Sequence, residues 1–192
     1  MKRYGILKEF INRLEDDDIA IFCGEDMCKE AFQHDREGNF YITSGQSIAP
    51  SLATGMANGT DKRIFIFSGE GNFLREVGAL IQMFVSQQKN LIYVVLDNEC
   101  YQSSGGYPNI FNNIGNPKGL FYNMGFILHD FTYFFEGKQF LKKMKQFMDD
   151  MIGPLVIIVK TSKGLKRNLD NIPYSETDLK KRIRNFINGS KE

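Results

Sequence analysis

Tryptophan is absent from this chain, histidine occurs twice, cysteine three times and proline five times in 192 residues. An odd trio of thiols, Cys23, Cys28 and Cys100, provides neither a disulfide framework nor the four thiolates of an iron–sulfur cluster. Cys23 and Cys28 read as buried thiols, and the usage suits a reducing cytoplasm, the expected location. His34 and His129 stand apart, without the spacing of metal ligands. Formal net charge is only +1, so no basic field argues for nucleic acid or an anionic membrane as a partner. Apolar runs fall far short of the roughly 20 residues needed to span a bilayer. Met1-Lys2-Arg3 leads into a charged amphipathic segment rather than a signal peptide. The length suits one domain with a layered core.

The most informative stretch runs from Arg63 to Tyr101. Arg63 to Phe67 is rich in β-branched and aromatic residues and ends in a Ser-Gly turn signal, the pattern of a short buried strand. From Phe73, apolar residues recur at Leu74, Val77, Leu80, Ile81, Phe84 and Val85 with helical periodicity, leaving Arg75, Glu76, Gln82 and Ser86 off the stripe. Leu91 to Leu96 is apolar without alternation, as in a parallel strand covered on both faces. A strand, a helix and a second parallel strand form one βαβ unit, whose crossover is almost always right-handed. Two turns then lie side by side on the carboxyl edge of the sheet, the usual ligand side of open α/β folds. Glu70 sits in one; Asp97 and Asn98, with Asn98 twenty-eight positions after Glu70, sit in the other.

A carboxylate and an amide oxygen converging on one point are hard ligands of the kind Mg2+ takes, with phosphate and water completing the octahedron. Gly69 and Gly71 permit close backbone approach, and amides opening the following helix favour a phosphate. The implied ligand is a diphosphate carried with its metal.

The rest of the chain repeats the alternation. An N-terminal helix with Tyr4, Leu7, Phe10, Ile11 and Leu14 on one face ends at the solvated run Asp16-Asp17-Asp18. Ile19 to Cys23 is a core strand delivering Gly24-Glu25-Asp26 to the rim, and a helix starts at Glu25. A strand over Asn39 to Thr43, the turn Ser44-Gly45-Gln46-Ser47 and a small-residue helix to about Asn58 follow. The long loop from Glu99 to Pro117 reads as a cover over the site, with Tyr107 and Phe111 as apolar anchors. Beyond it come a strand within 126–135, a helix over 137–151 with Phe140, Met144, Phe147 and Met148 on one side, and a last core strand from Pro154 to Val159. Ser175 with Asp178 forms a capping signal for a final helix whose stripe is Leu179, Ile183, Phe186 and Ile187, available to a subunit boundary. The fold expected is α/β: three layers, α/β/α, around a mainly parallel sheet.

An acidic residue between two glycines, followed just under thirty residues later by Asn after an apolar strand, resembles the diphosphate-binding motif of thiamine diphosphate enzymes. Asp97-Asn98-Glu99-Cys100-Tyr101 with Ser104-Gly105-Gly106-Tyr107-Pro108, and Lys163-Gly164 through Arg167-Asn168-Leu169 to Pro173, resemble the phosphonopyruvate and sulfopyruvate decarboxylases. The resemblance implies thiamine diphosphate and Mg2+ as cofactors. Glu70, Asn98 and the Cys100 carbonyl would be metal ligands. Gly24, Glu25, Ser44, Gly45, Gln46, Ser47, Gly69, Gly71, Asn72, Phe73 and Tyr101 would border the cofactor. Residues 1–174 would form the diphosphate-binding domain and 175–192 a C-terminal helical extension.

In that family the catalytic Glu belongs to a pyrimidine-binding domain, expected here on a separate α-type subunit. This chain would then be the β-type subunit of a split 2-oxoacid decarboxylase, inactive alone, and a homodimer within a hetero-oligomer. Phosphonopyruvate, sulfopyruvate and plain 2-oxo acids stay open as substrates, with Lys163, Lys166 and Arg167 as basic candidates for an anionic group. Departures from the family pattern are Glu70 where most relatives have Asp, Gln46 for Met, Ser44 and Ser47 for Gly, and Cys28-Lys29-Glu30 near a Ser-Arg-Glu type sequence. A different thiamine enzyme, acetolactate synthase-like or a 2-oxoacid:ferredoxin oxidoreductase subunit, and a non-catalytic cofactor-binding scaffold are the competing readings.

Overall fold

Six short runs rich in Ile, Val and Phe become the strands of one parallel sheet in the computed structural model of the chain. It describes residues 1–44, 48–113, 116–131, 142–144 and 153–189. The strands are β1 (Ile19–Cys23), β2 (Asn39–Ile42), β3 (Ile64–Gly69), β4 (Leu91–Asp97), β7 (Ile127–Phe131) and β8 (Leu155–Lys160); β5 (Cys100–Tyr101) and β6 (Tyr107–Pro108) form a separate antiparallel ribbon. The sheet order is β2-β1-β3-β4-β8-β7, with all neighbours parallel. Helices α1 (Arg3–Ile11), α2 (Glu25–Phe32), α3 (Ala49–Ala57), α4 (Glu70–Val85), α5 (Pro117–Asn123) and α6 (Glu176–Asn188) surround it.

Side-chain alternation divides the strands between two cores. Phe22, Phe67, Val94 and Ile157 face α1 and α2, whereas Ile21, Ile66, Tyr93 and Ile158 face α3, α4 and α5. Both faces are covered, which explains why these strands read as continuous apolar runs. The three-layer α/β/α architecture expected from the sequence is therefore present. Each fully buried side chain of this size stabilises by about 1.5–3 kcal/mol.

Several local expectations change. Helix α4 begins at Glu70 rather than Phe73, with Gly69 as its cap and an acidic side chain favoured in its first turn. Its sheet-facing side is Phe73, Glu76, Leu80 and Met83, while Ile81 and Val85 stay 47% and 69% exposed. Contact with β4 on one side and α3 on the other sets this phase, which hydrophobic periodicity alone misplaced. The Ser175–Asp178 capping box forms as read, and α6 packs on the β2 edge of the sheet. Gly38 is required there: an added Cβ would lie 2.3 Å from the Asp18 carbonyl and 2.8 Å from the Phe186 ring. In the helix expected over 137–151, only 142–144 is described, with Met144 buried; Phe140, Phe147 and Met148 lie outside the described residues.

Asp18 also departs from the reading of its run as solvated. It is 2% exposed, accepts from Arg63 Nε at 2.6 Å and from the Glu15 N–H at 2.7 Å, and so clamps the start of β1 to β3. Without Asp18 the partly buried guanidinium keeps only the exposed Glu15 carboxylate, and the Glu15 N–H loses its acceptor. Asp18→Ala should lower stability by about 2 kcal/mol, read as a drop in urea midpoint without loss of cooperativity.

Candidate diphosphate and metal site

Chain order reverses its direction of growth between β1 and β3, which are neighbours although β2 lies between them in sequence. Such a switch point opens a crevice at the carboxyl edge of an open α/β sheet. Register completes it: Phe22 pairs beside Phe67, and Gly69 beside Leu96, so the turns after β1, β3 and β4 leave the rim together. Gly24, Glu25, Gly69, Glu70, Gly71, Asn72, Asn98, Cys100 and Tyr101 line one cleft of about 470 Å3 there. Gly24 has φ +105°, and an added Cβ on Gly24 or Gly69 would meet nothing within 4 Å, so both leave open backbone on the cleft. Tyr101 closes over Gly71, whose added Cβ would come 3.2 Å from the ring.

Glu70 is 3% exposed and accepts from Asn109 Nδ2 at 2.6 Å. Burial and then the neighbouring Asp97 charge push its pKa up to about 7. Asp97 itself meets Lys160 Nζ at 2.9 Å. After β4 the chain folds through two successive side-chain turns: Asp97 Oδ1 accepts from the Glu99 N–H at 2.9 Å, and Asn98 Oδ1 from the Cys100 N–H at 3.0 Å. Glu99 takes φ 60° to make this bend. Ribbon β5/β6 sets Cys100 opposite Pro108, which has no N–H to offer its carbonyl.

Among the described residues no group of three His, Cys, Asp or Glu is placed to hold an ion. The set here is of another kind: one carboxylate, one amide oxygen and one main-chain carbonyl, all hard donors suited to Mg2+. A buried carboxylate whose ionised form is disfavoured by its surroundings is relieved by a divalent cation. The residues present thus fit a magnesium-bound diphosphate.

Other expected residues lie elsewhere. Phe73 is fully buried, its ring 4.5 Å from Phe121 and 5.2 Å from Phe111, so only its main chain could serve the start of α4. Exposed Ser44 hydrogen-bonds Glu176 at 3.2 Å and is outside the lining. Gly45, Gln46 and Ser47 lie outside the described residues. Lys166 and Arg167 border a neighbouring groove with Lys2. Phe111 is anchored in the core, whereas Tyr107 is 72% exposed.

Residues 28–159 match the family described as thiamine pyrophosphate enzyme, C-terminal TPP binding domain. The chain belongs to the thiamine pyrophosphate enzymes. Sulfopyruvate decarboxylase of Methanosarcina acetivorans is 33% identical over 111 residues, covering 53% of this chain and 29% of that protein. Sulfopyruvate decarboxylase subunit beta of Methanocaldococcus jannaschii is 30% identical over 105 residues, covering 54% of this chain and 56% of that one. The matches thus span less than two thirds of these relatives' lengths. In fold, the chain is similar to 2-oxoglutarate:ferredoxin oxidoreductase from Magnetococcus marinus, with TM-score 0.67 at 14% identity over 95% of this chain and 73% of that one. It is also similar to a thiamine diphosphate-dependent 4-hydroxybenzoylformate decarboxylase from Rhodococcus jostii, TM-score 0.65 at 12% identity over 88% and 33%.

Asn109 and Glu76 of this thiamine pyrophosphate fold escaped the sequence reading. Asn109, from the covering loop, supports Glu70; only its place in a long polar loop hinted at it. Glu76 is fully buried beneath the cleft, accepting from Tyr93 Oη, from Ser68 Oγ at 3.4 Å and from Cys23 Sγ at 3.9 Å. It joins the ends of β1 and β3 to β4 from below, and Asn72 Nδ2 in turn approaches Cys23 Sγ at 3.9 Å. Burial pushes the Glu76 pKa up to about 7, partly offset by the Tyr93, Ser68 and Cys23 hydrogen bonds.

Both acids ionise near 4.5 when exposed and near 7 in the fold. The stability they contribute is complete below about 4.5 and is lost as pH rises through about 7. Urea unfolding of the metal-free protein should show that decline, and Glu76→Gln should remove roughly half of the slope.

Proposed function

We propose that this chain is the diphosphate- and Mg2+-binding, β-type subunit of a thiamine diphosphate-dependent 2-oxoacid decarboxylase. The observation that carries the reading is the convergence of Glu70 and Asn98 at the switch-point cleft of a thiamine pyrophosphate fold. Relatives named as sulfopyruvate decarboxylase subunit beta support the β-type role and an α-type partner. Their substrate class, with that of the phosphonopyruvate decarboxylases that also match, supports a 2-oxo acid bearing a second anionic group.

When bound, thiamine diphosphate supplies an electron sink for the carbanion left by loss of CO2. The chain's own residues fix its charged end. Glu70 and Asn98 would hold the cation through side-chain oxygens and Cys100 through its carbonyl, and amides opening α2 and α4 would serve the phosphates. Asn109 keeps the Glu70 carboxylate in one orientation, and Tyr101 packs over Gly71. The glutamate that activates the aminopyrimidine comes from the pyrimidine-binding subunit, so the reacting carbon sits between two polypeptides. A homodimer of this chain within the hetero-oligomer and a cytoplasmic location complete the proposal. Among the described residues no helix is long and apolar enough to cross a membrane.

Glu70 must be ionised to take the cation, so Mg2+-dependent thiamine diphosphate affinity should rise as pH increases through about 7. Isothermal titration should show Glu70→Gln losing more than the tenfold to hundredfold that is roughly typical of removing a ligand's supporting partner, and Asn109→Ala losing about that amount. Unchanged affinity in Glu70→Gln would remove it from the ligand set. The chain alone should release no CO2 from 2-oxo acids, and mixing with a co-purifying pyrimidine-domain subunit should restore turnover. Robust turnover by the pure chain would refute the split site.

A further inference from the structure

Arg3 was not among the residues the sequence pointed to, yet it lines the cleft beside the turns that would hold a diphosphate. Its position follows from the fold. Lys2 bridges to Ser162 in parallel and the Ser162 N–H donates to the Met1 carbonyl at 2.8 Å, so α1 starts on the rim just beyond β8. From there Arg3 Nε donates to Glu30 Oε2 of α2 at 2.7 Å. Glu30 is 1% exposed and its other oxygen accepts from the Lys166 N–H at 3.0 Å, so the acceptor is itself fixed.

Arg3 Nη2 is enclosed and out of reach of the cleft, so the 12% of the side chain that stays exposed belongs to the rest of the guanidinium and its stem. Its anchored Nε leaves that exposed edge facing the cleft lining. Arg3 shares the cleft lining with Glu70, Asn98 and Cys100. A cation beside the Glu70–Asn98 set cannot serve the metal. It suits the anion that arrives with it.

We propose that Arg3 binds an oxygen of the diphosphate, with Glu30 pinning Nε so that the exposed edge of the guanidinium is held toward the phosphate. The inference rests on reading the cleft as a diphosphate site. Forked geometry suits arginine to this task, since one edge can be anchored while another donates to an anion with little further loss of freedom.

The test titrates the chain with inorganic pyrophosphate and, separately, thiamine diphosphate, each with saturating Mg2+. Arg3→Lys keeps the charge and a donor for Glu30 but removes the exposed guanidinium edge. Its affinity for both ligands should fall by roughly tenfold or more, while the rise of affinity with pH that Glu70 imposes stays. Should Arg3→Lys fail to fold, Arg3→Met combined with Glu30→Gln removes both buried charges together, and the same loss is expected. Wild-type binding matched by the variant would reduce Arg3 to a structural partner of Glu30 and overturn the inference. Unchanged pyrophosphate affinity with weakened binding of a 2-oxo acid would place the guanidinium on the substrate and equally overturn it. A wild-type chain that binds neither pyrophosphate nor thiamine diphosphate would instead bring down the diphosphate reading itself.

Discussion

Parallel pairing of β3 with β4, Gly69 beside Leu96, is the constraint from which the rest of the site follows, because it sets Glu70 next to Asp97 and Asn98 on one rim. Two carboxylates so placed in a largely buried corner repel each other. The fold treats them differently. Asp97 meets the Lys160 ammonium, while Glu70 meets the neutral amide of Asn109. A cation would therefore gain most at Glu70, the acid whose charge its surroundings disfavour. That asymmetry, more than the motif as such, supports the metal and phosphates proposed for this rim.

Beneath the rim lies a polar network in an otherwise apolar layer. Glu76 gathers Tyr93, Ser68 and Cys23, one residue from each of three adjacent strands. Buried polar networks of this sort rigidify and specify geometry when their members are satisfied. Here the strands tied together are the ones whose next residues form the cleft. On the opposite side Arg3 and Glu30 join α1 to α2, so the wall formed by the first helix turn also rests on a fixed charged pair. The loop after β4 adds Asn109 and Tyr101, coupling the ribbon to the Glu70 end of the cleft.

Elements whose determinants are local were legible. The strands appear in the sequence as uninterrupted Ile, Val and Phe runs, the α6 cap as Ser175 followed by Asp178, and the placing of Glu70 and Asn98 on one rim as an acid between glycines with Asn98 after an apolar strand. Residues whose roles depend on neighbours distant in sequence were not. Glu76 looks like a solvent-facing position on a helix wheel, and only contact with β4 turns it inward. Asp18 looks like the end of a solvated run until Arg63 lies against it. Ile81 and Val85 satisfy helical periodicity and still remain exposed, because hydrophobic spacing describes a stripe without saying which part of it a sheet will cover.

The sequence alone therefore determined the layered α/β class, the alternation of strand and helix, and the spacing that carries Glu70 and Asn98 to the same end of two strands. Chain periodicity and turn chemistry act over a few residues and need no partner to be read. Tertiary structure alone decided that Asp97 pairs with an ammonium and Glu70 with a neutral amide, and that Arg3, Glu76 and Asn109 surround the cleft. Those outcomes depend on burial and on charges brought close by packing, and neither quantity exists until the layers have closed.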